Sequence, residues 1–151
     1  MGVNTSRLFN KVDKLFSFDG VRCLAAVVKV YDGDTVWLQF MHKRELIKVR
    51  VRLTGIDAPE MKAPADNPYK VEIERAGEHS RAGLAELLES TNYLVYAELG
   101  KNDKWGRPLA TLYTVKRTCF KYKKDVAISE YMISNGFAYT YNGGTKIPNY
   151  R

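Results

Sequence analysis

Leu24-Ala25-Ala26-Val27-Val28-Lys29-Val30-Tyr31-Asp32-Gly33-Asp34-Thr35-Val36-Trp37-Leu38-Gln39-Phe40 opens on small and β-branched residues, breaks at a glycine between two aspartates, and resumes as an apolar run. That pattern is two strands joined by a tight turn at Asp32-Gly33-Asp34. After a polar connection over Met41 to Arg44, Val49, Val51 and Leu53 fall on one face of a third strand and Lys48, Arg50 and Arg52 on the other. The three strands form a meander.

Downstream, residues 57–75 hold three of the five prolines and read as a long loop, a length at which loops are usually functional. A helix is expected over about Glu74 to Glu89, with Leu84, Leu87 and Leu88 as its apolar stripe. Asn92 to Leu99 reads as a fourth strand. A turn with Gly100, Asn102, Asp103 and Gly106 separates it from a fifth, Pro108 to Val115. Lys116 to Lys124 carries five basic residues around Phe120 and Tyr122, the composition of a basic hairpin tip or of a solvated charge run. Ser129 and Gly136 bracket a short helix as N-cap and C′ residues. Five strands with a late helix predict a mainly β (α+β) chain, a five-stranded Greek-key barrel of the OB type with two or three helices. Two domain segments are expected: a basic amphipathic arm or helix over 1–20, in which Leu8, Phe9, Val12, Leu15 and Phe16 recur at helical spacing, and the barrel over 21–151.

A chain of 151 residues can bury a proper core. Its formal charge of +7 favours polyanionic partners, nucleic acid or an anionic lipid surface. No apolar run approaches the roughly 20 residues of a membrane-spanning helix. Cys23 and Cys119 lack the spacing of a zinc site or a disulfide framework and read as ordinary thiols of a reducing compartment. His42 and His79 have no histidine at i+4, which disfavours an imidazole metal site.

Two segments concentrate acid. In Tyr31-Asp32-Gly33-Asp34-Thr35 the aspartates at i and i+2 can be aimed at one point, and Gly33 lets the chain turn tightly. Arg52-Leu53-Thr54-Gly55-Ile56-Asp57-Ala58-Pro59-Glu60 leaves a strand for the long loop. A hard divalent cation wants oxygen ligands, and carboxylates from two loops provide them. Asp-Gly-Asp alone is a common hairpin turn, and the 12-residue spacing of an EF-hand loop is absent. The combination with Arg52 and a further arginine downstream is what points to chemistry.

With Asp103-Lys104-Trp105-Gly106-Arg107-Pro108-Leu109-Ala110 as a third motif, the sequence from Leu24 to Tyr141 resembles the staphylococcal nuclease (thermonuclease-like) family of OB-fold enzymes. The resemblance implies a Ca²⁺ site made by Asp34, Asp57 and the backbone carbonyl of Ala58. It makes Asp32 the outer carboxylate that orders water around the ion, with the Thr35 hydroxyl supporting that network. Glu60 falls at the general base, and Arg52 and Arg107 at the phosphate clamp. Lys104 and Trp105 fall where the family contacts a second phosphate and packs on the nucleotide. Tyr139 and Tyr141 resemble aromatics of the base pocket, and core packing is the competing reading for both.

Those residue types suit phosphodiester hydrolysis. Attack by water adds charge to the equatorial oxygens, which guanidinium groups can hold through paired hydrogen bonds. A cation neutralises another oxygen, and a carboxylate takes the proton of the water. The resemblance implies a Ca²⁺-dependent endonuclease of low sequence preference acting on DNA and RNA, single strands first, that leaves 3′-phosphates. A monomer is expected. The competing class is a non-catalytic OB module that binds nucleic acid or serves as a scaffold. Met1-Gly2-Val3-Asn4-Thr5-Ser6 fits the pattern for myristoylation of Gly2, and the basic arm behind it would supply a second membrane signal. The expected location is intracellular; for residues 1–20, peripheral membrane contact competes with a helix packed on the barrel and with a mobile arm. Charges interrupt every candidate apolar core of a secretory leader, which disfavours secretion.

Overall fold

The computed structural model describes residues 16–144. Strands β1 (Arg22–Val30), β2 (Thr35–His42) and β3 (Glu45–Leu53) form the antiparallel meander. The β2–β3 hairpin is tighter than a connection over Met41 to Arg44 allows. β2 continues through His42, which pairs with Glu45, and only Lys43 and Arg44 turn, at φ 49° and 68°. Two residues with positive φ make the hairpin turn whose twist matches that of the strands.

β5 (Leu94–Asn102) pairs with the first half of β1, while β2 pairs with its second half, and a bulge at Val27/Lys29 lies in the β1–β2 pairing. A bulge bends a strand and increases its twist, so β1 can serve both sides of a curved sheet. β6 (Pro108–Arg117) runs antiparallel to β5 and parallel to β3, with Arg52 opposite Leu109 and Leu53 opposite Ala110. That last pairing closes the five strands into a barrel of the OB type.

Alternate residues of the strands fill the barrel: Val36, Leu38 and Phe40; Val51 and Leu53; Val95, Ala97 and Leu99; Ala110 and Leu112 are buried. Leu84 and Leu88 of α1 (Lys70–Glu89) and Ile128 and Met132 of α2 (Ile128–Ser134) join the same core. Phe18 also reaches it, its ring 5.5 Å from that of Phe40. The remaining candidate arm over residues 1–15, with Gly2, lies outside the described residues, as does any third helix there.

α1 begins at Lys70, one turn before Glu74. Its N-cap Tyr69 makes no side-chain capping bond, so no capping residue marked that start. α2 is capped by Ala127, not Ser129, whose hydroxyl instead donates to the Thr54 carbonyl at 2.8 Å. Gly136 does end α2, at φ 72°, and Phe137 N donates back to the Met132 carbonyl at 2.8 Å.

Two elements go beyond the five expected strands, although the hairpin tip expected at Lys116 to Lys124 implies the first. β7 (Tyr122–Ala127) extends the sheet beyond β6 and makes Lys116 to Lys124 the tip of a hairpin. β4 (Ile56–Asp57) and β8 (Tyr139–Thr140) form a two-residue ribbon. Among the described residues no helix is long and apolar enough to cross a membrane.

Candidate functional site

The Asp32-Gly33-Asp34 turn is held from several sides. Asp32 Oδ1 accepts from Asp34 N at 3.0 Å, and Tyr31 N and Asp32 N both donate to the Thr35 carbonyl. The Asp34 carbonyl accepts from Leu53 N at 2.7 Å, which joins the turn to the end of β3. Gly33 is needed for a reason the sequence did not show: its φ is not left-handed, but a Cβ there would lie 1.8 Å from Ser80 Oγ on α1. The turn packs directly on the helix. Gly77, one turn earlier, lets the Glu60 backbone approach likewise, since a Cβ there would lie 2.4 Å from the Glu60 carbonyl oxygen.

Asp34 is 3% exposed and its carboxylate is fully engaged. Oδ1 accepts from Thr35 Oγ1 at 2.8 Å and Arg52 Nη1 at 3.1 Å; Oδ2 accepts from Ala58 N at 2.9 Å. Arg52 Nη2 donates to Asp57 Oδ1 at 2.6 Å. Asp34 and Asp57 therefore bracket one guanidinium, so carboxylates from the two loops do converge. Burial would lower the pKa of Arg52, but the charges of Asp34, Asp57 and Asp32 and the hydrogen bond to Asp57 outweigh it, and the net shift is upward. Asp32 is pushed up to about 6, first by burial and then by the neighbouring charge of Asp34.

These residues line a depression of about 280 Å³ made by Tyr31, Asp32, Asp34, Thr35, Arg50, Arg52, Ala58, Pro59, Glu60 and Arg107. Glu60 is exposed on it; Asp57 reaches the site through Arg52 rather than as part of that lining. A second and wider depression, about 980 Å³, is lined by Arg52, Asp103, Lys104, Trp105, Arg107, Leu109, Tyr141, Gly143 and Gly144. Arg52 and Arg107 belong to both. Barrel closure explains their meeting, because Arg52 pairs with Leu109, two residues after Arg107.

Arg107 is oriented by a residue to which the sequence reading gave no role. Asp103 Oδ2 accepts from Arg107 Nε at 2.8 Å, and its Oδ1 accepts from the backbone N of Trp105 and of Arg107, both at 2.9 Å. Burial alone would raise the Asp103 pKa; the bonds from Arg107 and Trp105 outweigh it and hold the carboxyl below its ordinary value. The four-residue spacing in Asp103-Lys104-Trp105-Gly106-Arg107 was the available signal. Lys104 stands over the Trp105 ring at 5.2 Å, and Trp105 is 74% exposed. Tyr141 joins the site, its ring 5.7 Å from the Arg52 guanidinium and its N bonded to the Gly55 carbonyl. Tyr139 is exposed opposite Asp57 on the β4–β8 ribbon and lines neither depression. Tyr31 and Arg50 line the acidic depression without having been singled out.

The groups around Asp34 are the Asp32 carboxylate, the Thr35 hydroxyl, the Arg52 guanidinium and the Ala58 N–H, with no imidazole or thiolate among them. His42 and His79 meet Phe18 and Phe137 edge-on elsewhere. Among the described residues no three acidic, histidine or cysteine side chains form a metal cluster by themselves. Asp34 and Asp57 are oxygen ligands of the kind a hard cation takes, completing its shell with carbonyl and water; in this structure the Arg52 guanidinium lies between them.

A closed OB barrel with an acidic depression and a pair of arginines at its border defines a class of domain that cleaves or binds nucleic acid. A family model described as staphylococcal nuclease homologue matches residues 50–150, more than half of the chain, and the chain belongs to that family. The matched span begins at Arg50, so Asp32 and Asp34 join the site through the fold rather than through the match. A comparison with curated proteins gave no match.

Proposed function

We propose that this chain is a Ca²⁺-dependent endonuclease that hydrolyses phosphodiesters of DNA and RNA with little sequence preference, single strands first, and leaves 3′-phosphates. The observation that carries the reading is the border position of Arg52 and Arg107, shared by an acidic depression and a wider one floored by Lys104, Trp105 and Tyr141. A phosphate held by both guanidiniums would have its ester oxygens facing the acids on one side and its nucleotide on the other.

Asp34, Asp57 and the Ala58 carbonyl would hold the ion, with Asp32 and the Thr35 hydroxyl around them. When bound, Ca²⁺ supplies neutralisation of a phosphate oxygen and a fixed direction for the attacking water. Arg107 spends Nε on Asp103, which leaves its terminal amino groups for phosphate oxygens. Arg52 Nη1 carries a second hydrogen beyond the one given to Asp34, while Nη2 donates to Asp57 and, at 3.4 Å, to the Ile56 carbonyl. Glu60, exposed on the acidic side, takes the proton of the attacking water. Lys104 and Trp105 hold the neighbouring phosphate and nucleotide, and Tyr141 stacks beside Arg52. Tyr139 contributes only at the rim. The protein works as a monomer inside the cell, and residues 1–20, with a myristoylated Gly2, bring it to membranes.

Incubation of the purified chain with single- and double-stranded DNA and with RNA, with Ca²⁺ or with chelator, tests this. Cleavage that needs Ca²⁺ is expected, and undiminished cleavage under chelation refutes the metal dependence. Arg107→Ala should lower kcat about 10²–10³-fold, the typical loss for one positioned donor at a developing charge. Glu60→Gln should lose cleavage while retaining binding. Unchanged rates in both variants would refute these two roles, and a parent chain that binds nucleic acid without cleaving it would be a binding module instead of an enzyme.

A further inference from the structure

The outward face of β3 carries a row of cations that continues beyond Arg52, the one member the reaction uses. Arg52, Arg50 and Lys48 occupy alternate positions, and each cation stands over a ring: Arg52 over Tyr141 at 5.7 Å, Arg50 over Tyr31 at 5.7 Å, Lys48 over Trp37 at 5.6 Å. Residues two apart on a strand are separated by about 6.8 Å, so the three residues stand in a row along the face. Arg50 and Tyr31 line the acidic depression together with Arg52, so the row starts inside the site. It runs from there toward the Lys43-Arg44 turn. Lys48, Arg50 and Tyr31 are exposed, and no acidic residue occurs in Thr35–His42 or in Leu46–Leu53.

A basic sheet face is usually only a solvated face. Two features set this one apart: each cation is paired with an aromatic surface, and the row is continuous with the depression. A positively charged path with aromatic stacking surfaces is what a single nucleic-acid strand requires. A duplex keeps its bases inside and could use only the charges. We propose that the β2–β3 face is a track for the single strand flanking the reactive phosphate. Arg50 and Lys48 take successive phosphates, and Tyr31 and Trp37 stack on bases. The proposal rests on the nucleic-acid reading above and deepens it.

The test uses the full chain in chelator, so binding is read without cleavage, by fluorescence anisotropy with a thymidylate dodecamer and a thymidylate dinucleotide. The double variant Lys48→Ala/Arg50→Ala should weaken dodecamer binding roughly tenfold at low salt and flatten the slope of log affinity against log salt by about 1.4, the share of two contacts to a single strand. Tyr31→Ala, at an exposed site that leaves the core intact, should weaken the dodecamer by about fivefold or more. Both losses should exceed those for the dinucleotide. Lys121→Ala/Lys123→Ala removes the same charge from the β6–β7 hairpin and should cost less. Equal losses for the two hairpins would reduce the effect to bulk charge and overturn the track. Equal losses for the two ligands would confine these residues to the reaction pocket and overturn it as well, as would unchanged binding. A chain that never cleaves but shows the dodecamer pattern would sink the endonuclease reading and leave the track standing.

Discussion

Replacing Gly33 by alanine adds a Cβ that, on the present backbone, lies 1.8 Å from Ser80 Oγ, 2.8 Å from Ala58 Cβ and 2.9 Å from Ser80 Cβ. Two of those neighbours cannot swing aside, because Ser80 is fully buried on α1 and Ala58 is held through its N–H by Asp34. Forcing an extra carbon into such packing costs about 1–3 kcal/mol. Ser80 itself has a separate cost. Its hydroxyl is the one buried side-chain polar atom among the described residues without a hydrogen-bond partner. An unpaired buried hydroxyl is worth roughly 1–3 kcal/mol of destabilisation by mutational measure. The few packing contacts of one oxygen, at about 0.1–0.2 kcal/mol each, offset only part of that. Ser80→Ala should therefore stabilise by about 1 kcal/mol, a rise of roughly 3 °C in Tm for a domain of this size.

The two substitutions must also couple. Ser80→Ala removes the closest of the three contacts, so Gly33→Ala should cost at least about 0.5 kcal/mol less in that background. Urea unfolding of the parent, both single variants and the double variant, followed by far-ultraviolet circular dichroism in chelator, measures every term. Additivity within about 0.3–0.5 kcal/mol would refute the direct packing of the aspartate turn on α1. A loss of stability in Ser80→Ala would refute the unpaired hydroxyl. Gly33→Ala should also reduce cleavage in urea-free buffer, because pressing on Ala58 disturbs the N–H that fixes Asp34 Oδ2.

Three further outcomes follow from the geometry. Asp103→Ala frees Arg107 Nε and should lower kcat more than it raises KM. Because the folded Asp103 pKa lies below its ordinary value, the stability it adds is fully present above the unfolded value near 4 and is lost as pH falls through the folded value. Acid unfolding of Asp103→Ala should be correspondingly less steep; an identical acid limb would remove the tether. Asp32 has the opposite sign: raised to about 6, it costs stability as pH rises from its unfolded value through 6. Asp32→Asn should therefore stabilise the chelated protein at pH 7, on the order of 1–2 kcal/mol, and leave it unchanged below about pH 4; a stability gain of equal size at both pH values would contradict this. Lys43→Asn/Arg44→Gly places residues suited to positive φ where φ is 49° and 68°, and a gain of about 1 kcal/mol in thermal unfolding is expected. Destabilisation would mean that the long side chains hold the turn.

How much of this the sequence showed depends on the kind of signal each element leaves. β1, β2, β3, β5 and β6 bury alternate residues, and Val49, Val51 and Leu53 show the alternation openly. β7 lacks it: five of its six residues are exposed, so pairing with β6 leaves no apolar trace. The β4–β8 ribbon has two residues per strand, too few for any period. Site residues carried by local motifs, such as Asp32, Asp34, Asp57 and Glu60, were visible, and so was Arg52 through its distance from Asp57. Tyr31, Arg50 and Ser80 were not, because each matters through a partner distant in sequence or across strands. Gly33 was legible as a special position but not for its reason, which is the side chain of a helix 47 residues away (80 − 33).

The pairing that closes the barrel is also the one that assembles the site. Arg52 ends β3 and Arg107 precedes β6, and the parallel register of Arg52 with Leu109 is what brings the two guanidiniums to one border. Leu53 N, the next donor along β3, binds the Asp34 carbonyl, and Thr54 N binds the Ala110 carbonyl. One strand end thus ties the aspartate turn on one side and the arginine strand on the other. Local opening of β3 from β6 would separate the arginines and release the turn together, so the clamp cannot persist in a partly open barrel. Cleavage should therefore fall in urea along the same transition as the β-sheet signal. Activity lost well before that signal would mean that the site is held by the loops alone and owes nothing to closure.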